Sequence, residues 1–94
     1  GNQQQTRASE PKTNNIEMKN FAFSSAELKI KKGDKVIWTN KDSSRHTITS
    51  DSGDELDSEL LDKEDRYSHT YNTAGTYSYH CKPHPYMKAK IIVE

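Results

Sequence analysis

The segment His80-Cys81-Lys82-Pro83-His84-Pro85-Tyr86-Met87 gathers the reactive side chains of this chain. It holds the one cysteine, two of the four histidines and one of the two methionines. Cys81, His84 and Met87 offer a thiolate, an imidazole and a thioether at the spacing Cys-x2-His-x2-Met. Taken singly, each has an ordinary reading: a buried small hydrophobe, a satisfied polar residue and core filler. Three soft or borderline donors within seven residues, on a loop stiffened by Pro83 and Pro85, point instead to a metal. Soft sulfur with imidazole selects copper, and a trigonal His2Cys set with a weak axial Met is the type 1 copper arrangement. That set needs one more histidine from another part of the chain, and His46 is the candidate.

The strand that must carry Cys81 explains why His80 is not counted. With a period of two, Tyr77, Tyr79 and Cys81 share one face and Ser78 and His80 the other. Cys81 then points inward at the strand's end and His80 outward. His69 lies on the parity of Tyr67 and Tyr71, which predicts a half-buried, hydrogen-bonded histidine. It has no neighbouring ligands in sequence to make a second metal site.

The rest of the chain has the pattern of an all-β domain. Ile16 to Phe23 reads as a first strand with a bulge near Lys19-Asn20, because Ile16 and Met18 lie on one parity and Phe21 and Phe23 on the other. Glu27–Lys31 and Val36–Thr39 follow, separated by a Lys32-Gly33-Asp34 turn. Strands are then expected at His46–Ser50, Tyr67–Tyr71, Thr76–Cys81 and Lys88–Val93. Seven or so short strands with frequent turns predict a Greek-key β-sandwich. Leu56, Leu60 and Leu61 recur at helical spacing, so a short helical turn is expected in the 51–65 loop.

Ninety-four residues allow one domain. Residues 1–15 hold a single apolar residue, Ala8, and read as a disordered or extended polar tether, either a spacer behind a membrane anchor or a frayed terminus. Residues 16–94 are expected to form the copper-binding domain. The net charge is zero, which implies no nucleic-acid partner, and no apolar run is long enough to span a bilayer. One cysteine excludes an internal disulfide. Charge is uneven along the chain: residues 51–65 carry eight acids against Lys63. Arg45, Lys82 and Lys88 flank the ligand segments with no acid nearby in sequence.

The segment Tyr79 to Met87 resembles the ligand loop of the cupredoxins, the type 1 blue copper proteins. Its two-residue gap between His84 and Met87 is similar to that of the amicyanin branch; plastocyanins have a longer gap. Phe21-Ala22-Phe23, Gly33-Asp34 with Val36 and Trp38, Ser44-Arg45-His46-Thr47 and Ala74-Gly75-Thr76-Tyr77 stand in the order such domains use. The resemblance covers residues 16–94. It implies one copper ion cycling between Cu2+ and Cu+ on His46, Cys81, His84 and Met87, and electron transfer rather than enzymatic turnover. It also implies a monomer in a periplasmic or other extracytoplasmic setting. Redox partner proteins would dock on the exposed His84 edge among Pro83, Pro85 and Tyr86. Copper storage, delivery or sensing, or a domain clipped from a larger copper oxidase or membrane complex, would use the same ligands. Two departures stand out. Where the family commonly has Asn after the first His ligand, this chain has Thr47. Where amicyanins have Pro before it, this chain has Arg45, whose charge is expected to raise the reduction potential.

Overall fold

The computed structural model describes residues 10–94, and nothing in it bears on residues 1–9, where most of the expected tether lies. Among the described residues there are eight strands: β1 (Thr13–Lys19), β2 (Ala22–Phe23), β3 (Glu27–Ile30), β4 (Lys35–Asn40), β5 (Thr49–Ser50), β6 (Arg66–Thr70), β7 (Gly75–His80) and β8 (Lys88–Val93). They form two four-stranded sheets, ordered β2-β1-β4-β6 and β3-β8-β7-β5. Each sheet is mixed, with β1 parallel to β4 and β3 parallel to β8. β1 begins before Ile16. Thr13 pairs with Lys35, and the Lys12 N–H donates to the Asp34 carboxylate at 2.9 Å.

Period-two alternation builds the core. Ile16 and Met18 from β1, Val36 and Trp38 from β4, and Ala89, Ile91 and Val93 from β8 are all buried, and their neighbours along each strand are less so. Tyr79 is fully buried, and its phenol oxygen accepts the Trp38 indole N–H at 3.0 Å. That bond joins the two sheets directly beneath the ligand loop. Burial holds the Tyr79 phenol neutral, pushing its pKa up to about 12 against the smaller opposing effect of Trp38.

Three local expectations are corrected. The parity change after Met18 is a hairpin, not a bulge. Met18 pairs with Phe23 and Lys19 with Ala22, leaving Asn20-Phe21 as a two-residue turn with φ of 54° and 59°. Two positive φ values at the centre of a two-residue turn are the type I′ pattern, which suits the right-handed twist of the flanking strands.

The 51–65 segment contains no helix. It runs back along residues 46–50 through isolated bridges of Thr49 with Asp57 and His46 with Leu61. Leu56 and Leu61 enter the core, whereas Leu60 is 52% exposed, so the apparent helical stripe is not a buried face. Gly53, with φ of 75°, and several Ser and Asp residues favour turns over helix. The expected strand His46–Ser50 shortens to Thr49–Ser50 because its partner segment meets it only at those bridges.

Candidate metal centre

Cys81 follows directly after β7 and is fully buried, on the inward face with Tyr79. Beyond it the chain closes a tight loop. The His84 N–H donates to the Cys81 carbonyl at 3.1 Å, the Met87 N–H to the His84 carbonyl at 2.9 Å, and the Cys81 N–H to the Met87 carbonyl at 3.1 Å. Two of these bonds turn the segment at three-residue intervals and the third closes Cys81 onto Met87, so the Cys-x2-His-x2-Met spacing brings the three backbones together. Met87 is buried at 2% exposure and His84 is half-buried.

His46 reaches the same place from the other ligand segment. It is fully buried and held by backbone bonds in both directions with Leu61, at 3.3 and 2.9 Å. Its Nε2 lies 2.8 Å from Asp42 Oδ2. A neutral His46 donates Nε2–H to that carboxylate and turns Nδ1 inward as a bare lone pair.

The three donor atoms form a nearly equilateral triangle. His46 Nδ1 lies 3.2 Å from His84 Nδ1 and 3.5 Å from Cys81 Sγ, and Cys81 Sγ lies 3.6 Å from His84 Nδ1. A point in that plane is about 2.0 Å from all three, the length of a bond from imidazole nitrogen to a first-row metal and a little short of one from thiolate. The donor set therefore fits a single copper ion with only a small outward shift of the sulfur. Among the described residues, His46, Cys81 and His84 are the one His/Cys/Asp/Glu group of this kind. Met87 is the expected fourth, axial donor. The structure brings its backbone to Cys81 and buries its side chain.

Surrounding groups hold the donors in place. The Thr47 N–H points at Cys81 Sγ at 3.5 Å. Its hydroxyl oxygen accepts the Lys82 N–H at 2.8 Å and lies 2.8 Å from the Thr49 hydroxyl. The shorter hydroxyl thus ties the two ligand segments together, as an amide would. Asn40 is a further tie, fully buried at the end of β4. Its Nδ2 donates to the Ser44 and Leu61 carbonyls, each at 2.9 Å, and its Oδ1 accepts the Asp42 N–H at 2.8 Å.

Asp42 was missed by sequence reasoning, since an acid in a polar loop carries no mark of its target. Burial pushes its carboxyl up, but the Phe21 N–H, the His46 imidazole and the Asn20 N–H outweigh burial and hold it below the usual aspartate range.

His80 and His69 lie outside the triangle, as expected. His80 Nδ1 faces Asp51 Oδ1 and His69 Nε2 faces Glu55 Oε2, each at 2.6 Å. Arg45 is not the unpaired charge its sequence neighbourhood suggests. Its Nε donates to Asp62 Oδ1 at 2.8 Å, because the acidic segment doubles back alongside residues 46–50.

Residues 11–94 match the family described as copper binding proteins, plastocyanin/azurin family. The chain belongs to that family. Over 83 residues it is 36% identical to amicyanin of Paracoccus denitrificans, a match covering 84% of this chain and 63% of that protein. It thus spans less than two thirds of that relative. It is also 38% identical over 87 residues to plastocyanin of Scenedesmus fuscus, covering 79% of this chain and 88% of that protein. The crystal structure of amicyanin from Paracoccus versutus superposes with a TM-score of 0.81 at 32% identity, covering 87% of this chain and 81% of that one. A Cu(I) form of an amicyanin mutant gives 0.82 at 34% identity, covering 87% and 82%. The family and the donor triangle agree on copper as the metal this domain binds.

Proposed function

We propose that this chain is a one-electron carrier, not an enzyme, with one type 1 copper held by His46, Cys81, His84 and Met87. The observation that carries this reading is the donor triangle, with edges of 3.2, 3.5 and 3.6 Å, already closed to bonding dimensions. Copper, when bound, supplies reversible cycling between Cu(II) and Cu(I). The protein's part is to keep the donors still while the charge changes, which keeps reorganisation small. Three features do this: the Asp42 bond to His46, the Thr47 tie to Lys82, and the three-bond loop from Cys81 to Met87. Cys81 and His46 are fully buried, so water has little access to the sulfur.

Electrons enter and leave through His84, the half-buried donor of the three. Pro83, Pro85 and Tyr86 around it are exposed, Tyr86 at 68%, and make an apolar rim on which a redox partner protein docks. The acids of residues 51–65 steer a basic partner toward this end of the molecule, and added salt slows that encounter. Its setting is extracytoplasmic, like that of the family's electron carriers.

The test is the visible spectrum of the oxidised, copper-loaded protein with its redox titration. An intense thiolate-to-copper band that bleaches with one electron per chain and returns on reoxidation supports the reading. Copper bound without that band, or bleached without return, identifies a storage or delivery site instead.

A further inference from the structure

The Asn20-Phe21 turn carries an anomaly. A type I′ turn needs positive φ at both central residues, which Asn tolerates and Gly supplies freely. Phe21 instead sits at φ 59°, an outlier for a bulky side chain. It is also 39% exposed, so the strain is not repaid by deep burial. Strain that persists needs surroundings that hold it, and it marks candidate functional positions.

Two observations show what holds the turn and what it presents. One carboxylate secures it: Asp42 Oδ1 accepts the Asn20 N–H at 2.8 Å and Oδ2 the Phe21 N–H at 2.9 Å. The same Oδ2 lies 2.8 Å from His46 Nε2. So held, the Phe21 ring packs nearly perpendicular to both histidines of the triangle, with centroids 5.3 Å from His46 at 82° and 4.9 Å from His84 at 90°. Among the described residues, His84 has no carboxylate partner of the kind that fixes His46. Its hydrogen-bonding contacts within the site are the two other donors, and among the described residues the aromatic rings against it are those of Phe21, Tyr86 and His46.

We infer that Phe21, locked in its left-handed turn by Asp42, is a positioning residue that holds the His84 ring in line with His46 and Cys81. The inference rests on the copper-site reading above. Asp42 thereby serves both histidines, His46 through a hydrogen bond and His84 through the ring it seats. The backbone strain at Phe21 is retained because a glycine there would relax the turn and lose the brace.

Phe21→Gly turns the hairpin into Asn-Gly, the favoured type I′ pair, and removes the ring. Phe21→Tyr keeps the ring, with its hydroxyl free to reach solvent. Affinity for Zn(II) and for Cu(I) is read by competition with a chelator. His84 ring signals are read by NMR in the metal-free protein, and thermal unfolding of that form is read alongside. Phe21→Gly is expected to weaken binding of both ions about tenfold, the scale of an outer-sphere support. It should also broaden or split the His84 signals without lowering the unfolding midpoint, and Phe21→Tyr should restore parent affinity. A purely structural role would lower midpoint and affinity together. Should Phe21→Gly not fold, Phe21→Leu keeps the strained turn but removes the ring edge, and it should weaken binding comparably.

Affinity within about twofold of the parent, with a single sharp His84 signal, in Phe21→Gly or its Leu substitute overturns the inference. None of these readouts requires electron transfer. A parent protein lacking the thiolate band defeats the functional reading, whereas a blue parent with an indifferent Phe21 variant defeats only this one.

Discussion

Replacing Asn40 by alanine tests how the fold holds the His46 segment. Its side chain makes three hydrogen bonds, to the Ser44 and Leu61 carbonyls and from the Asp42 N–H. At about 0.5–1.5 kcal/mol net for each bond, their loss sums to about 1.5–4.5 kcal/mol. The groups left behind narrow that range. The Leu61 carbonyl keeps the His46 N–H at 3.3 Å, so it is not orphaned. Ser44 and Asp42 are only half-buried, and water can reach them. A loss of about 2–3 kcal/mol remains, or about 10–20 °C in the unfolding midpoint of a domain this size. The assay is denaturant and thermal unfolding of the metal-free protein, with the copper-loaded form alongside. Metal binding stabilises the variant by mass action but should not restore parent stability. A loss below about 1 kcal/mol would refute the view that Asn40 is the principal tie of this loop.

Three other predictions concern charge and the ligand tie. Asp34 is buried and accepts the Lys31 N–H at 3.0 Å and the Lys12 N–H at 2.9 Å, and these bonds hold its carboxyl below the usual aspartate range. A depressed folded pKa gives stability that is present above the unfolded value of about 3.9 and is lost as pH falls through the folded one. Asp34→Asn should therefore destabilise the metal-free protein at neutral pH and flatten the acid limb of its stability curve below about pH 4; an unchanged acid limb would count against it. Thr47→Val removes the acceptor of the Lys82 N–H but keeps the backbone donor to Cys81, so it should cost about 1–2 kcal/mol while leaving the thiolate-to-copper band in place. Loss of the band would show that the hydroxyl shapes the copper–sulfur bond itself. Arg45→Ala should leave the reduction potential unchanged, because Asp62 already offsets that charge and both side chains are more than half exposed. A fall in potential that survives high salt would reinstate Arg45 as a tuning charge.

The ligand loop was legible because its chemistry is contiguous: Cys81, His84 and Met87 fall at three-residue spacing, and the loop's own hydrogen bonds repeat at that spacing. His46 was legible through resemblance and through the parity that turned His80 outward. The sandwich followed from the number of short strands and the frequency of turns between them, and in β4 and β8 the buried positions do recur every second residue. Alternation failed where tertiary pairing decides. Leu56, Leu60 and Leu61 mimic a helix, yet only Leu56 and Leu61 are drawn inward, by backbone bonds to the 46–50 segment that no local pattern announces. The Asn20-Phe21 turn hid because Phe is a poor residue for it. The side chain that strains the turn is also the one that touches both histidines. Asp42 hid for a related reason, since its partners lie about twenty residues upstream and four downstream.

The most direct test of the account is X-ray absorption at the copper edge in both oxidation states. A preformed triangle predicts two imidazole nitrogens at about 2.0 Å and one short sulfur bond in the oxidised protein, with the same donors at nearly the same distances after reduction at neutral pH. Loss or gain of a donor on reduction at that pH would contradict it.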